Sequence, residues 1–191
     1  MSHYGTELGQ LVTSCQLDLD ARRAIGNAVE LEEALELLAE RGLYFDAMKL
    51  LQKSLPLRDL VWWATLCVWG NANGGLSDVQ VEGIRRVAAW VREPIHEHHQ
   101  EVAVAADVLG EADPVGRLCT AASYTGCASG STDVPEATNP TRARQLAIMA
   151  LRLGRHHAFP GANRLLRAGN AFEIGRAIFA TENHWDQKSA A

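Results

Sequence analysis

The sequence has 191 residues, of which 47% are hydrophobic and 21% carry charge, a balance typical of folded globular proteins. This composition excludes an intrinsically disordered chain, and the length is sufficient to bury a core. The formal net charge of −5 argues against general affinity for DNA or RNA, because such binding requires a positive surface field. We therefore predict a soluble chain without a nucleic-acid partner.

The apolar segments bear on where the protein works. The first ten residues lack the basic start and the apolar stretch of a secretory signal peptide. The longest apolar run, 60–69, is about half the length that a membrane-spanning helix requires. These features predict a cytoplasmic protein that does not insert into a membrane.

Apolar residues recur at helical spacing along the chain, whereas the alternation typical of strands is scarce. The first clear helix covers 31–40, and Gly42 ends it. A second helix over 43–54 follows so closely that the two are expected to pack as an antiparallel hairpin.

The third predicted helix is the most apolar. Pro56 suits its first turn, and after Asp59 the helix is apolar on every side. We therefore expect it to be the central helix of the core. The segment 70–75, rich in glycine and asparagine, is predicted to break this helix and to form a loop.

Later helices have recognisable starts. Ser77 is suited to cap a fourth helix, and Pro94 is suited to open a fifth. Asp113 followed by Pro114 predicts the start of a sixth helix, which fades near Gly126.

The chain is thus predicted to be all-α, a compact bundle of about seven to nine helices. Near the N-terminus, Asp18 and Asp20 are interpreted as helix caps and not as a catalytic pair. The predicted segments are 1–29, partly helical; 30–128, the core bundle; 129–139, an exposed loop; 140–181, arginine-rich helices of the same domain; and 182–191, a frayed tail.

Charge is distributed unevenly between the two ends. Residues 1–40 hold eight acids against two arginines, whereas residues 138–180 hold seven arginines against one acid. The arginines either face an acidic partner or lie on a solvated rim with internal pairing. Arg144 and Arg155, eleven residues apart, are expected to project from nearly the same side of one helix. The candidate partner-binding residues are Arg144, Arg152, Arg155, Arg164 and Arg167.

The histidines of segment 94–101 are the first place to look for a metal site. Zinc sites on helices favour two histidines four residues apart, as in H-E-x-x-H, but His96 and His99 are three apart. His98 extends an apolar stripe and is expected to take part in packing. We predict an ordinary helix start and no metal ligand.

Four cysteines, Cys15, Cys67, Cys119 and Cys127, form no C-x-x-C pair. Cys67 and Cys119 lie in apolar surroundings, as small buried residues do. Reduced thiols are therefore expected, with a structural disulfide as the alternative.

The sequence contains no G-x-S-x-G nucleophile motif, and Ser129-Gly130-Ser131 falls in a predicted loop without a preceding strand. The glycine-rich segment 70–75 is not followed by the G-K-[ST] of a phosphate-binding loop. An enzyme would have to gather its residues from distant positions. We predict no catalytic residue and no cofactor.

Tryptophan is concentrated between 62 and 90. Trp62 and Trp69 share one helix face, whereas Trp63 points elsewhere. Core packing is the favoured interpretation, and an aromatic groove for a partner is the alternative. The residues assigned to the structural core signature are Pro56, Arg58, Trp62, Trp63, Trp69 and Trp90.

Two resemblances follow from the segment that starts at Leu38. Residues 38–56 resemble the helical hairpin of a single tetratricopeptide repeat, with Gly42 at the turn and Ala47 where the helices touch. The sequence does not recur at the 34-residue period of that repeat, so the resemblance does not extend to an array.

A longer stretch resembles an uncharacterised bacterial family with a core of the form A-L-P-x-R-x-x-V-W-W-A. Residues 42–64 carry this likeness, and 89–94, 129–131 and 165–176 extend it. The resemblance implies no activity, but it does imply a setting among genes of type VI secretion or related contractile injection systems.

Together these features predict a non-enzymatic adaptor or chaperone-like protein that binds a protein partner, and the family resemblance suggests a component or effector of a secretion system as that partner. A small effector or its immunity protein is one alternative. A self-assembling structural subunit, and hence a homo-oligomer, is another.

Overall fold

The computed structural model describes residues 6–72, 75–126, 139–156 and 164–181, with side chains omitted at residue 6 and over 154–156 and 164–166. Across these ranges the chain forms helices and no strand, which confirms the all-α prediction. The predicted tail at 182–191, and all but the last residue of the predicted loop at 129–139, lie outside the described residues.

Ten helices occur in the described ranges, compared with the seven to nine predicted, because the N-terminal segment contains two. No described helix is long and apolar enough to cross a membrane. In chain order the helices are α1 (Thr6–Ser14), α2 (Leu19–Ile25), α3 (Leu31–Glu40), α4 (Tyr44–Ser54), α5 (Leu57–Ala72), α6 (Asp78–Arg92), α7 (His96–Leu109), α8 (Pro114–Thr125), α9 (Pro140–His156) and α10 (Arg164–Ala180).

Two helix starts show the predicted chemistry. The Ser77 hydroxyl accepts a hydrogen bond from the Gln80 backbone N–H, while the Gln80 side chain accepts one from the Ser77 N–H, forming a capping box on α6. At α8, the carboxylate of Asp113 accepts from the N–H groups of Val115 and Gly116. These bonds satisfy amides that a helix start otherwise leaves unpaired.

Two boundaries differ from their predictions. Helix α7 begins at His96 with Ile95 at its N-cap position, so Pro94 precedes the helix and does not open it. Helix α5 continues through Gly70 and ends at Ala72, so the predicted break at 70 is too early. A single glycine near a helix end costs only about 1 kcal/mol relative to alanine, which packing of the rest of the helix offsets.

The chain divides into two compact units. Among the described residues, unit 1 comprises 6–55 and 164–180, and unit 2 comprises 56–72, 75–126, 139–156 and 181. In unit 1, α4 packs against α1, α3 and α10. The rings of Tyr44 in α4 and Phe172 in α10 are 5.8 Å apart, and Phe172 is fully buried. Unit 1 is therefore completed by a helix that follows α4 only after more than one hundred residues.

A buried carboxylate connects the first helices of unit 1. Asp46 is only 4% exposed, and its Oδ1 lies 2.7 Å from Lys49 Nζ. The same oxygen accepts a hydrogen bond from the backbone N–H of Asp18, at the start of α2. Lys49 Nζ also donates to the Gln16 carbonyl, so α4 is tied to the turn between α1 and α2. A buried charge needs partners of this kind to offset its loss of hydration.

In unit 2, α8 packs against α5, α6, α7 and α9. Trp63 from α5, Trp90 from α6 and Leu118 from α8 are at most 1% exposed and fill the core. The arginine Arg58 donates to the backbone carbonyls of Val91 and Arg92, which satisfies acceptors at the end of α6.

The outer face of α5 is partly exposed, so the prediction that this helix is buried on every side is wrong. Trp62, Leu66 and Trp69 do share a face, but Trp69 is 50% exposed and the other two are only partly buried. The core side of α5 instead carries Trp63, so α5 is not buried all round. Trp69 therefore lies outside the core, as does the exposed Pro56.

Candidate functional site

A groove runs between α6 and α7 on unit 2. These helices are joined by three residues, 93–95, and pack against each other. The groove encloses about 360 Å³, its floor and walls are mainly apolar, and charged side chains stand at its rim. Its apolar residues are Val79, Gly83, Val104, Ala105, Val108 and Leu109, and its charged ones are Asp78, Glu82 and Arg86.

Gly83, which lines the groove, lies at a point of close approach between helices. A Cβ at this position would lie 2.8 Å from Leu109 Cδ1 and 2.9 Å from Val115 Cγ1. The absence of a side chain therefore lets α6 approach α7 and α8 closely at this point.

Three valines border the groove and are exposed. Val79 is 51% exposed, Val104 56% and Val108 68%. Scattered apolar side chains are ordinary on a protein surface, but here three line one concave feature. Their position around one concave feature makes the groove a candidate site for another molecule.

The charges at the rim are only partly paired. Glu82 Oε1 lies 3.1 Å from Arg86 Nε, and Glu82 Oε2 lies 3.8 Å from Arg85 Nη1. Arg86 also donates to the backbone carbonyl of Glu101 at 3.4 Å. One carboxylate of the rim is thus engaged by two guanidinium groups.

A second pocket, of about 620 Å³, lies where α6 and α8 begin. Its polar side chains include Gln80 and Asp113, joined by a hydrogen bond of 2.6 Å. Both side chains already cap helices, as described above. This pocket is therefore lined by groups that hold the helix starts in place.

The candidate arginines do not share one environment. Arg144 in α9 is partly buried, and burial lowers the pKa of its guanidinium, whereas Arg152 in the same helix is exposed. Arg167 belongs to α10 in unit 1. The side chains of Arg155 and Arg164 lie outside the described residues. Partner binding by these arginines stays a prediction.

Two histidines of α7 each use one ring nitrogen in a hydrogen bond to a backbone carbonyl. His98 Nδ1 bonds to the Glu93 carbonyl at 2.8 Å, and His99 Nε2 bonds to the Ser123 carbonyl in α8 at 2.7 Å. His99, and not His98, thus reaches the neighbouring helix. Within the described part of the chain, no three His, Cys, Asp or Glu residues are grouped to hold a metal ion.

The described cysteines are buried thiols. Cys15, Cys67 and Cys119 form no disulfide, as predicted, while Cys127 lies outside the described residues. Burial raises the pKa of Cys15, and burial together with the nearby Asp113 raises the pKa of Cys119 to about 12. These two thiols therefore stay protonated at neutral pH, a form that is weakly nucleophilic.

Comparison with known proteins places the chain in a family. The family of unknown function DUF6931 matches residues 34–179, most of the chain and both compact units. The chain belongs to DUF6931. No curated protein and no solved structure matches it. Membership of DUF6931 confirms the expectation of an uncharacterised family, whereas the secretion setting and the tetratricopeptide likeness stay predictions.

The groove was not among the sites predicted from the sequence. Val104 and Val108 fall in a helix where Val102 is fully buried, so the residue type does not distinguish the exposed valines from the buried one. The available signal is their spacing of four residues, which places them together on one face of α7.

Proposed function

We propose that this DUF6931 protein is a non-enzymatic, protein-binding adaptor or chaperone-like protein, and that the groove between α6 and α7 receives its partner. The observation that carries the proposal is the set of three exposed valines, Val79, Val104 and Val108, around one apolar groove. Burial of such side chains is favourable by about 25 cal/mol for each Å² removed from water. A partner that covers the groove gains the part of this free energy that exceeds the cost of its lost freedom of motion.

The shape of the groove favours a segment of protein over a small molecule. Small-molecule sites enclose their ligand and converge a few polar groups upon it. This groove instead follows two helices, and the stretch from Val79 to Arg86 is about 10 Å long, or two helical turns. An amphipathic helix placed in a groove is a common recognition mode with this geometry.

The family resemblance supports a setting for this activity. We propose a component or effector of a type VI secretion or contractile injection system as the partner, with binding in the cytoplasm. The proposal involves no nucleic acid and no cofactor.

Affinity capture with a matched pair of variants tests the proposal. Tagged wild type, Val108→Glu and Met149→Glu are used as baits in native lysate, and the bound proteins are identified by mass spectrometry. Met149 is 38% exposed and lies on α9, away from the groove, so its change controls for added charge. Circular dichroism first establishes that both variants are folded.

The expected result is a reproducible partner that Met149→Glu retains and Val108→Glu loses. The same partners retained by all three baits would show that the groove is not the binding site. A bait that poisons cells when expressed would instead favour the effector alternative.

A further inference from the structure

We infer that the segment which occupies the α6–α7 groove is an amphipathic helix with lysine or arginine before and after its apolar stretch. This inference rests on the proposed function and adds the chemistry of the partner. It follows from the charges that surround the groove.

The first set of charges lies on α7. Glu97 and Glu101 precede Val104 and Val108 at spacings of four, three and four residues, so all four lie along one face of the helix. Both glutamates are exposed. In the described part of the chain neither carboxylate forms an ion pair. The apolar stripe thus continues into an acidic one.

The second set lies on α6. Asp78 lines the groove beside Val79 and Val108, is exposed, and likewise has no ion pair within the described ranges. Glu82 is the carboxylate that Arg85 and Arg86 engage. The two arginines are therefore partly neutralised from within the protein, and the unpaired charge at the groove is acidic.

The acids stand at both ends of the apolar stretch. Arg86 Nη1 bonds to the Glu101 carbonyl, so Glu101 lies near the end of the groove that Arg86 forms. Asp78 and Val108 line the groove at its other end, where α6 begins and α7 finishes. A fitting partner helix carries apolar residues along about two turns and basic residues before and after them. Complementary charge of this kind selects partners and fixes the position of the helix.

Three synthetic peptides of about 18 residues test the inference, a length at which a helix is reasonably stable in water. They share one leucine stripe and one fluorescent label, and their flanking positions are all lysine, all glutamine or all glutamate. Binding to the full chain is measured by fluorescence anisotropy at two salt concentrations. We expect the lysine-flanked peptide to bind about tenfold more tightly than the glutamate-flanked one, with this difference shrinking at high salt.

Variants of the protein test whether the charges at the rim of the groove cause the preference for the lysine-flanked peptide. Asp78→Asn combined with Glu101→Gln is expected to weaken binding of the lysine-flanked peptide about threefold to tenfold and to leave the glutamine-flanked peptide unchanged. Val108→Ser is expected to weaken all three peptides. Glu40→Gln removes an exposed carboxylate from α3 in unit 1 and is the control, for which no change is expected.

The outcomes separate the two proposals. Equal affinity for all three peptides would overturn the inference about charge and leave the groove as a binding site. Absence of peptide binding, together with a native partner that depends on Val108, would overturn the helical nature of the occupant alone. A concentration-dependent dimer that Val108→Glu abolishes would identify a second copy as the occupant and overturn both proposals.

Discussion

At the scale of single residues, two glycines of unit 2 are required by close packing and not by turn geometry. Gly83 lies under Leu109, as described, and Gly116 lies under the turn that ends α7. A Cβ on Gly116 would stand 1.9 Å from the carbonyl oxygen of Gly110, a distance that only a movement of the backbone relieves. Gly70, by contrast, has open space around it.

These surroundings predict opposite effects of alanine. We expect Gly116→Ala to lower the free energy of unfolding by about 3 kcal/mol, because the added methyl group displaces α8 from the turn. Gly70→Ala is expected to raise it by roughly 0.5 kcal/mol, since alanine favours the helix. Urea denaturation of both variants measures the difference, and equal effects would contradict the packing described for Gly116.

The thiol of Cys119 predicts a dependence of stability on pH. Its pKa is about 12 in the folded chain and 9.0 in the unfolded chain. Between these values the unfolded chain releases a proton that the folded chain keeps, so its contribution to stability is complete below pH 9 and is lost as pH rises toward 12.

We therefore expect the unfolding free energy of wild type to fall between pH 9 and pH 11 by more than that of Cys119→Ala. The difference in slope is at most about 1.4 kcal/mol for each pH unit. Guanidinium denaturation at pH 7.5, 9, 10 and 11 measures it. Identical slopes for the two proteins would show that this thiol does not control the alkaline loss.

At the scale of elements, the capped starts of α6 and α8 were predictable, whereas the predicted cap at Asp18 makes no capping bond and the buried faces of the helices were not predictable. Ser77 and Asp113 cap the helices that the sequence assigned to them, because capping involves residues within one turn. The contact of His99 with α8, and the exposure of Trp69, depend instead on which neighbour covers each face. Helical periodicity predicts that two residues share one face of a helix, but it does not predict which face a neighbouring helix covers.

Asp113 connects α6 with α8, so we expect it to contribute more to the stability of the fold than an ordinary helix cap does. Its carboxylate holds two backbone amides of α8 and the Gln80 side chain of α6. We expect Asp113→Ala to lower the free energy of unfolding by about 2 kcal/mol. Asp18→Ala, at a helix start where the side chain makes no capping bond, is expected to cost less than about 0.5 kcal/mol by the same measurement. Equal losses would contradict the role of Asp113.

At the scale of the whole molecule, the all-α class followed from the sequence, but the division into two units did not. Unit 1 depends on contacts between α4 and α10, which more than one hundred residues separate. Helical spacing within either segment carries no information about such a pairing. The groove was missed for a similar reason, since it exists only where α6 and α7 meet.

The division into two units predicts that unit 2 folds from one continuous segment, whereas unit 1 requires two separate segments of the chain. We expect a fragment of residues 56–160 to fold alone, with a cooperative thermal transition and the blue-shifted fluorescence of buried Trp63 and Trp90. Residues 1–55 are expected to gain full helicity only when a peptide of residues 161–181 is added. Circular dichroism measures the helicity and the thermal transition, and fluorescence spectroscopy measures the tryptophan emission. A fragment of 1–55 that folds without the peptide would contradict the role assigned to α10.

The position of α10 also bears on synthesis. A ribosome that adds about 5–20 residues per second needs roughly 5–20 s to travel from the end of α4 to the start of α10. During that interval the apolar surface of α4 around Tyr44 stays uncovered, because the Phe172 that packs against it has not yet been synthesised. Helices α1 to α4 are therefore synthesised well before the helix that completes their unit, and in the nascent protein they stay open to proteases and to general chaperones during that interval.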